Sequence, residues 1–372
     1  MARKLKSSRR VALWRWIWNR GRGLSEVVLF PFTLLAALYG LLCRLRILLY
    51  EKGFLERRRV DCRVVSVGNL TVGGTGKTPF TIFLAEEWQR RGAAVGVVSR
   101  GYGGTYKGPL RLVSDGQEIL EDPSAVGDEP YLIAQRLKGV PVIVSPDRFE
   151  GCRWLLNRFK LDVLLLDDAF QHIRLHRDLN LLLVDATNPF GNGALLPRGT
   201  LREPLSEVRR ADVVIFTRSS DQSDASEWIG ELERLGRPCV RTMFQPTAWM
   251  NVRTGATLPP EALAGEPVLG FCGIGNPDSF ATLLKQLQVD LREQINFRDH
   301  HRYQADDLGR IQKKAQERGV TRVVTTEKDA VKIKGLLSQE TEKLEIWMVR
   351  VEVVFWDHQE KWGPLLFEGG RC

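Results

Sequence analysis

The chain contains no C-x-x-C pair. Its six cysteines, Cys43, Cys62, Cys152, Cys239, Cys272 and Cys372, are scattered, which excludes a zinc ribbon or a disulfide scaffold and reads as reduced thiols of the cytosol. There is no internal repeat and no low-complexity tract. Apolar residues at 43% against 27% charged exclude global disorder, and the length allows two domains with separate cores. Acid is missing from one end. Between Met1 and Gly23 there are eight Lys or Arg and no Asp or Glu, and the first acid is Glu26. Such an arm, in a chain of net charge +9, implies an anionic partner, either nucleic acid or lipid.

The neighbouring sequence decides between them. "VVLFPFTLLAALYGLLC", Val27 to Cys43, is seventeen residues without a charge. As a helix it reaches about 25 Å, against a hydrocarbon core of about 30 Å. Trp14, Trp16 and Trp18 precede it, where indole rings suit a headgroup zone. No small-residue cleavage site follows, which argues against a signal peptide. Arg44, Arg46, Lys52 and Arg57 to Arg59 place basic charge on the far side as well. A helix lying in, or dipping into, the cytoplasmic leaflet is therefore expected over a single span or a core helix. Basic flanks add about 1 kcal/mol each at an anionic surface. Lipid, rather than nucleic acid, is the expected partner, and no obligate protein partner is expected.

From residue 51 the pattern alternates strand and helix. "RVVSVG" (Arg63–Gly68), "AVGVVS" (Ala94–Ser99), "PVIV" (Pro141–Val144), "DVLLLD" (Asp162–Asp167), "NLLLVD" (Asn180–Asp185) and "DVVIFT" (Asp212–Thr217) are continuous apolar runs. Such runs suit a mostly parallel sheet covered on both faces, a doubly wound α/β domain with ligands at the carboxyl ends of its strands. Around Phe244–Gly255 the pattern breaks into polar, Pro- and Gly-bearing sequence, then resumes. The expected organisation is a membrane-associated segment over 1–50, a P-loop domain over 51–247 and a smaller α/β domain over 248–372. The final strand, "LEIWMVRVEVVF", is free to pair with either domain.

"VGNLTVGGTGKTPF", Val67 to Phe80, follows the first strand and opens a helix. Counting back from Gly76-Lys77-Thr78, the strict phosphate-loop pattern wants glycine at position 71, where the chain has Thr71. The glycines nearest the phosphates remain, so residues 71–78 (Thr71, Val72, Gly73, Gly74, Thr75, Gly76, Lys77, Thr78) are expected to cradle nucleotide phosphates with backbone N–H groups. Lys77 reaches the β- and γ-phosphates, and Thr78 ligates Mg²⁺. Val72 stands where ParA-like ATPases carry a lysine, which argues against them. A second acid is needed for the metal, and "DVLLLDDAFQH" offers Asp167 and Asp168 at a strand tip.

Taken in order, "VGNLTVGGTGKTP", "SRGYGG", "VGDEP", "LLLDDAFQHIRLHRD", "NPFGNGALLPRGTLREP", "FCGIGNPDSF", "FRDHHRY" and "TTEKDAVKI" resemble the tetraacyldisaccharide 4′-kinase family. Ala169 departs from it, since the family usually carries glycine in D-D-G-x-Q-H. The resemblance implies ATP-dependent phosphorylation of the 4′-hydroxyl of tetraacyldisaccharide 1-phosphate to give lipid IVA, at the cytoplasmic face of the inner membrane. It makes Asp128 of "VGDEP" the base, paired with His300 of "DHH", with His301 the alternative. If so, the second domain closes over the first, with a hinge near Gln245 to Val252. Arg202 is expected to meet charge on the phosphoryl group or the substrate, ahead of Arg198. Arg100, Tyr102 and Gln171 are expected on the substrate side. The residues alone also admit a kinase of a soluble metabolite or a nucleotide-switched membrane-associated regulator.

Overall fold

The computed structural model describes residues 25–220, 225–337, 344–356 and 362–368. The basic arm with Trp14, Trp16 and Trp18, and Cys372, lie outside the described residues. In chain order the first elements are α1 (Ser25–Glu51), β1 (Arg63–Gly68), α2 (Lys77–Arg90), β2 (Val95–Ser99), β3 (Arg111–Ser114), α3 (Asp128–Arg136), β4 (Val142–Val144), α4 (Arg148–Leu156), β5 (Val163–Asp167) and β6 (Leu179–Asp185). They are followed by β7 (Val213–Thr217), α5 (Ala225–Arg234), β8 (Cys239–Asn251), β9 (Thr257–Leu258), β10 (Pro267–Cys272), α6 (Pro277–Gln286), β11 (Asp290–Asn296), α7 (Ala305–Glu317), β12 (Arg322–Thr326), α8 (Glu327–Ile333) and β13 (Glu345–Phe355).

These elements gather into two compact units, each built from separated stretches of chain. One takes residues 1–76, 168–242 and 355–372, the other 77–167 and 243–354.

In the first unit β1, β6, β7 and the start of β8 pair in parallel, with Val65 opposite Leu179, Leu182 opposite Val214, and Val214 opposite Cys239. Their runs of Val, Leu and Ile are buried, as strands covered on both faces require. Leu70, Phe170, Phe190 and Phe216 form the core beside them, with Trp228 packed against it. Gly68 ends β1 because the Phe170 backbone passes there: a Cβ at 68 would lie 2.5 Å from the Phe170 nitrogen.

Helix α1 belongs to this unit and is two-faced. Leu29, Ala36 and Ile47 are buried, whereas Phe30, Leu34, Leu38, Leu41, Leu45 and Leu48 are exposed, Phe30 by 66%. By length and composition, Leu29–Glu51 is long and apolar enough to cross a membrane. Tyr39, Cys43 and Arg46, one turn apart in succession, line the attached face. The Tyr39 hydroxyl donates to the Arg202 carbonyl at 2.6 Å, and Arg46 Nη2 donates to the Gln171 carbonyl at 3.2 Å.

In the second unit β5, β2 and β4 are parallel and β3 is antiparallel to β4. A further set runs β11, β10, β12, β13 in parallel. One core contains Phe271, Tyr303, Leu308 and Ile311, and another contains Trp249, Val268, Phe280 and Leu284. Helix α8 starts on a capped residue, Thr326, whose hydroxyl accepts from Asp329 N, a contact worth about 1 kcal/mol. It lies against α3, joined by Arg136 Nη1 to Glu327 Oε1 at 2.7 Å and Lys328 Nζ to Glu129 Oε1 at 3.1 Å.

The break expected at 244–255 is narrower than its composition suggests. β8 runs without interruption from Cys239 to Asn251, through Pro246. A proline is tolerated where its missing N–H is not needed by the ladder. Only the tail turns: Asn251 Oδ1 accepts from the nitrogens of Arg253 and Thr254, and Gly255 has φ +73°.

Candidate active site

The phosphate loop begins as a strand and ends as a helix. After β1, the Asn69 side chain donates to the Thr71 carbonyl at 2.7 Å. Residues 70–72 then run antiparallel to 200–202: Val72 N donates to Thr200 O, Arg202 N donates to Leu70 O, and Thr71 bridges Leu201. Residue 71 is therefore an extended, paired position, suited to a β-branched side chain and not to a turn glycine. The left-handed residues are Gly73 at φ +123° and Gly76 at φ +80°. Gly73 and Gly74 are exposed, and α2 opens at Lys77. The Thr75 carbonyl accepts from the Thr217 hydroxyl at the end of β7, at 3.0 Å. Its own hydroxyl oxygen is buried and has no hydrogen-bond partner among the described residues. Exposed loop glycines, a helix N-terminus and an orphaned hydroxyl are together the chemistry of an anion cradle.

The adjacent acids at the tip of β5 part company. Asp167 is buried and accepts from the hydroxyls of Thr81 at 3.3 Å and Ser99 at 3.2 Å. Thr78 and Thr81 lie one turn apart on α2, so Thr78 and Asp167 address the same face of that helix. Asp168 takes a left-handed conformation, φ +49°, and both its oxygens accept from Arg202 Nη1, at 2.9 and 3.1 Å. Ala169 is fully buried and is not the left-handed residue of this turn, so glycine is not required there.

A second cluster surrounds Asp128. Gly127 precedes it at φ +96°, ψ 154°, a conformation reserved for glycine; a Cβ there would lie 2.5 Å from the Tyr102 carbonyl. This tight passage fixes Asp128 at the first turn of α3, only 6% exposed. His300, itself left-handed at φ +54°, presents Nδ1 at 3.3 Å from Asp128 Oδ2. Its ring meets Tyr102 edge-on, centroids 5.0 Å apart. Lys328 and Lys332, one turn apart on α8, each bring Nζ to 3.8 Å from Asp128 Oδ2. Burial by itself raises the Asp128 pKa. The hydrogen bond from His300 and the two lysine charges outweigh it and hold the carboxyl well below the usual carboxylate range.

A mostly parallel α/β frame, a phosphate loop and a separate acid–imidazole pair resemble proteins already known. The family model for tetraacyldisaccharide-1-P 4′-kinase matches residues 27–367. The tetraacyldisaccharide 4′-kinase of Syntrophus aciditrophicus is 42% identical over 317 residues, covering 82% of this chain and 85% of that one. The Geobacter sulfurreducens protein of the same name is 40% identical over 325 residues, covering 86% and 87%. The chain belongs to the tetraacyldisaccharide-1-P 4′-kinase family. Among solved structures, LpxK from Aquifex aeolicus in complex with ATP superposes with a TM-score of 0.72 at 31% identity, covering 94% of this chain and all of that one.

In this kinase the remaining residues singled out by sequence are placed as follows. Gln171 donates to the Asn69 carbonyl at 2.8 Å and to Glu203 Oε2 at 3.4 Å, beside the start of the phosphate loop. Tyr102 joins the Asp128 cluster, and Arg100 is exposed two residues earlier. The Arg198 carbonyl accepts from the Asn192 side chain at 3.3 Å, and Arg202 is the arginine paired with Asp168 at 2.9 Å. His301 turns elsewhere, engaging Asp307 at 2.8 Å and stacking on Phe297.

Three charged residues near these groups carry no mark of their own in the sequence. Lys328 and Lys332 sit in "TTEKDAVKI", where an i,i+4 lysine pair reads as a solvated face. Glu203 follows Arg202 in "LREP" and is buried against Arg210 and Gln171. Burial raises the Glu203 pKa more than Arg210 lowers it.

Proposed function

We infer that this enzyme transfers the γ-phosphoryl group of ATP to the 4′-hydroxyl of a tetraacylated disaccharide 1-phosphate, giving lipid IVA. The observation that carries the mechanism is the approach of His300 to a buried Asp128. Phosphoryl transfer demands positioning and charge neutralisation more than covalent chemistry. The amides of residues 71–78 and Lys77 hold the β- and γ-phosphates, and Arg202 meets charge on the transferred group. Thr78, with Asp167 and Asp168, presents the hard oxygen donors that Mg²⁺ takes, and the buried Thr75 hydroxyl is free to address a phosphate. When bound, the cation neutralises phosphate charge.

Asp128 accepts the hydroxyl proton as the new P–O bond forms. Full deprotonation beforehand is excluded by the gap between a depressed carboxyl pKa and that of an alcohol. His300 orients the carboxylate. Arg100, Tyr102 and Gln171 are assigned to the substrate side. Functionally, residues 51–247 supply the phosphate loop and Asp128, and residues 248–372 supply His300.

The exposed leucine face of α1 is assigned to the cytoplasmic face of the inner membrane, lying in the interface. The other face carries the Tyr39 and Arg46 contacts to the Arg202 and Gln171 carbonyls, which supports a helix lying along the interface over one surrounded by lipid. The deciding experiment incubates purified protein with Mg-ATP and detergent-dispersed tetraacyldisaccharide 1-phosphate and follows the 4′-phosphate product. ATP hydrolysis without that product overturns the assignment.

A further inference from the structure

His300 is held on both ring nitrogens. Nδ1 lies 3.3 Å from Asp128 Oδ2 and 3.4 Å from Oδ1, while Nε2 lies 3.2 Å from Lys328 Nζ. Lys328 Nζ also contacts Glu129 Oε1 at 3.1 Å and lies 3.8 Å from both Asp128 Oδ2 and Asp299 Oδ1. Burial opposes its charge, but Glu129, Asp128 and Asp299 together keep its pKa above the ordinary lysine range. An ammonium has donors and no acceptor. A ring nitrogen at hydrogen-bond distance from it must offer a lone pair, and in neutral imidazole the proton then resides on the other nitrogen. That other nitrogen faces Asp128.

We propose that Lys328 is a positioning residue that fixes His300 as the Nδ1–H tautomer, so that the ring donates to Asp128. This rests on the reading of Asp128 as the proton acceptor of phosphoryl transfer. With Lys328 in place, the carboxylate keeps one fixed N–H donor and does not collapse into an ion pair with an imidazolium. Lys332 lies equally far from Asp128 Oδ2 but is engaged by Asp329 at 2.7 Å and lies over the Tyr303 ring. It contributes charge to Asp128 without addressing a His300 nitrogen. The ring also meets the edge of Tyr102 and the Asp299 carboxylate, 3.9 Å from Nε2, while Arg302, two residues on, donates to the Gly103 carbonyl.

The test is ¹⁵N-histidine NMR on the full chain, with His300→Gln identifying the His300 signals among the five histidines. Near neutral pH the wild type shows a protonated Nδ1 and an unprotonated Nε2, and Lys328→Arg retains that pattern. Lys328→Met moves His300 toward the imidazolium or the Nε2–H form. It lowers kcat roughly 10- to 100-fold while leaving the KM for ATP within about twofold. A protonated Nε2 in the wild type overturns the proposal, as does a Lys328→Met spectrum identical to the wild type's. The wild-type spectrum decides even where the methionine variant does not fold. Because the tautomer is read without turnover, full activity in His300→Ala removes the acid–base reading alone.

Discussion

Thr71 occupies the place of a phosphate loop's first glycine because its backbone pairs instead of turning. Its neighbours Leu70 and Val72 exchange hydrogen bonds with residues 200 and 202, and the positive φ values fall on Gly73 and Gly76. Restoring the strict pattern with Thr71→Gly therefore brings no gain in ATP affinity by titration. It lowers the melting temperature, since glycine in a paired strand costs roughly 0.5–1 kcal/mol. The Asp128–His300 contact makes the opposite kind of prediction. His300→Ala is expected to lower turnover by about one to three decades, with ATP binding nearly unchanged, because the role proposed for the imidazole is on the acceptor side. Unaltered steady-state turnover in that variant removes His300 from the site. The adjacent acids show where reading residues in a row stops. Nothing in "LLLDDAF" says that Asp167 turns to hydroxyls while Asp168 adopts a left-handed backbone and meets Arg202. That divergence is set by partners distant in sequence.

Among the elements, those with continuous apolar runs were legible: the burial of β1, β2, β5, β6 and β7 follows directly from their Val, Leu and Ile content. β8 was not, because its exposed and half-buried positions, with Pro246, lack both alternation and a run. The lysines of α8 were likewise hidden, since helix periodicity reveals a face but not that α3 supplies acids opposite it. Helix α1 was legible as a long apolar segment, though not as one with an attached face. Replacing Leu38 and Leu41 together by Asp is expected to abolish co-flotation with anionic lipid vesicles while leaving the fold intact, because both side chains are exposed. Retained flotation would move the membrane contact elsewhere. Tyr39→Phe keeps the ring and removes only the donor to the Arg202 carbonyl. It is expected to lower kcat several-fold without changing flotation.

At the scale of the molecule, the order of the short motifs along the chain disclosed the reaction, while the assembly of each compact unit from non-contiguous stretches was beyond any local pattern. One global property follows from a single buried group. The folded-state pKa of Asp128 is depressed, so its ionised form contributes stability that is present above the unfolded value, near pH 4, and is lost as pH falls through the folded value. Asp128→Asn leaves Lys328 and Lys332 facing each other without that charge. The melting-temperature gap between wild type and Asp128→Asn is therefore expected to be widest near neutrality and to shrink below about pH 4. A gap independent of pH would show that the carboxylate is not held in this way.

The hydrogen bond from Tyr39 to the Arg202 carbonyl has a practical side for inhibitor discovery. Trimming the chain to begin after Glu51 is the obvious route to a soluble protein for screening. It would also strip the donor from a carbonyl belonging to the arginine that holds Asp168, and leave the Gln171 carbonyl without Arg46. Compounds ranked against such a trimmed enzyme would be ranked against a slackened Arg202–Asp168 pair. Screening should keep the helix and find the right amphiphile for it.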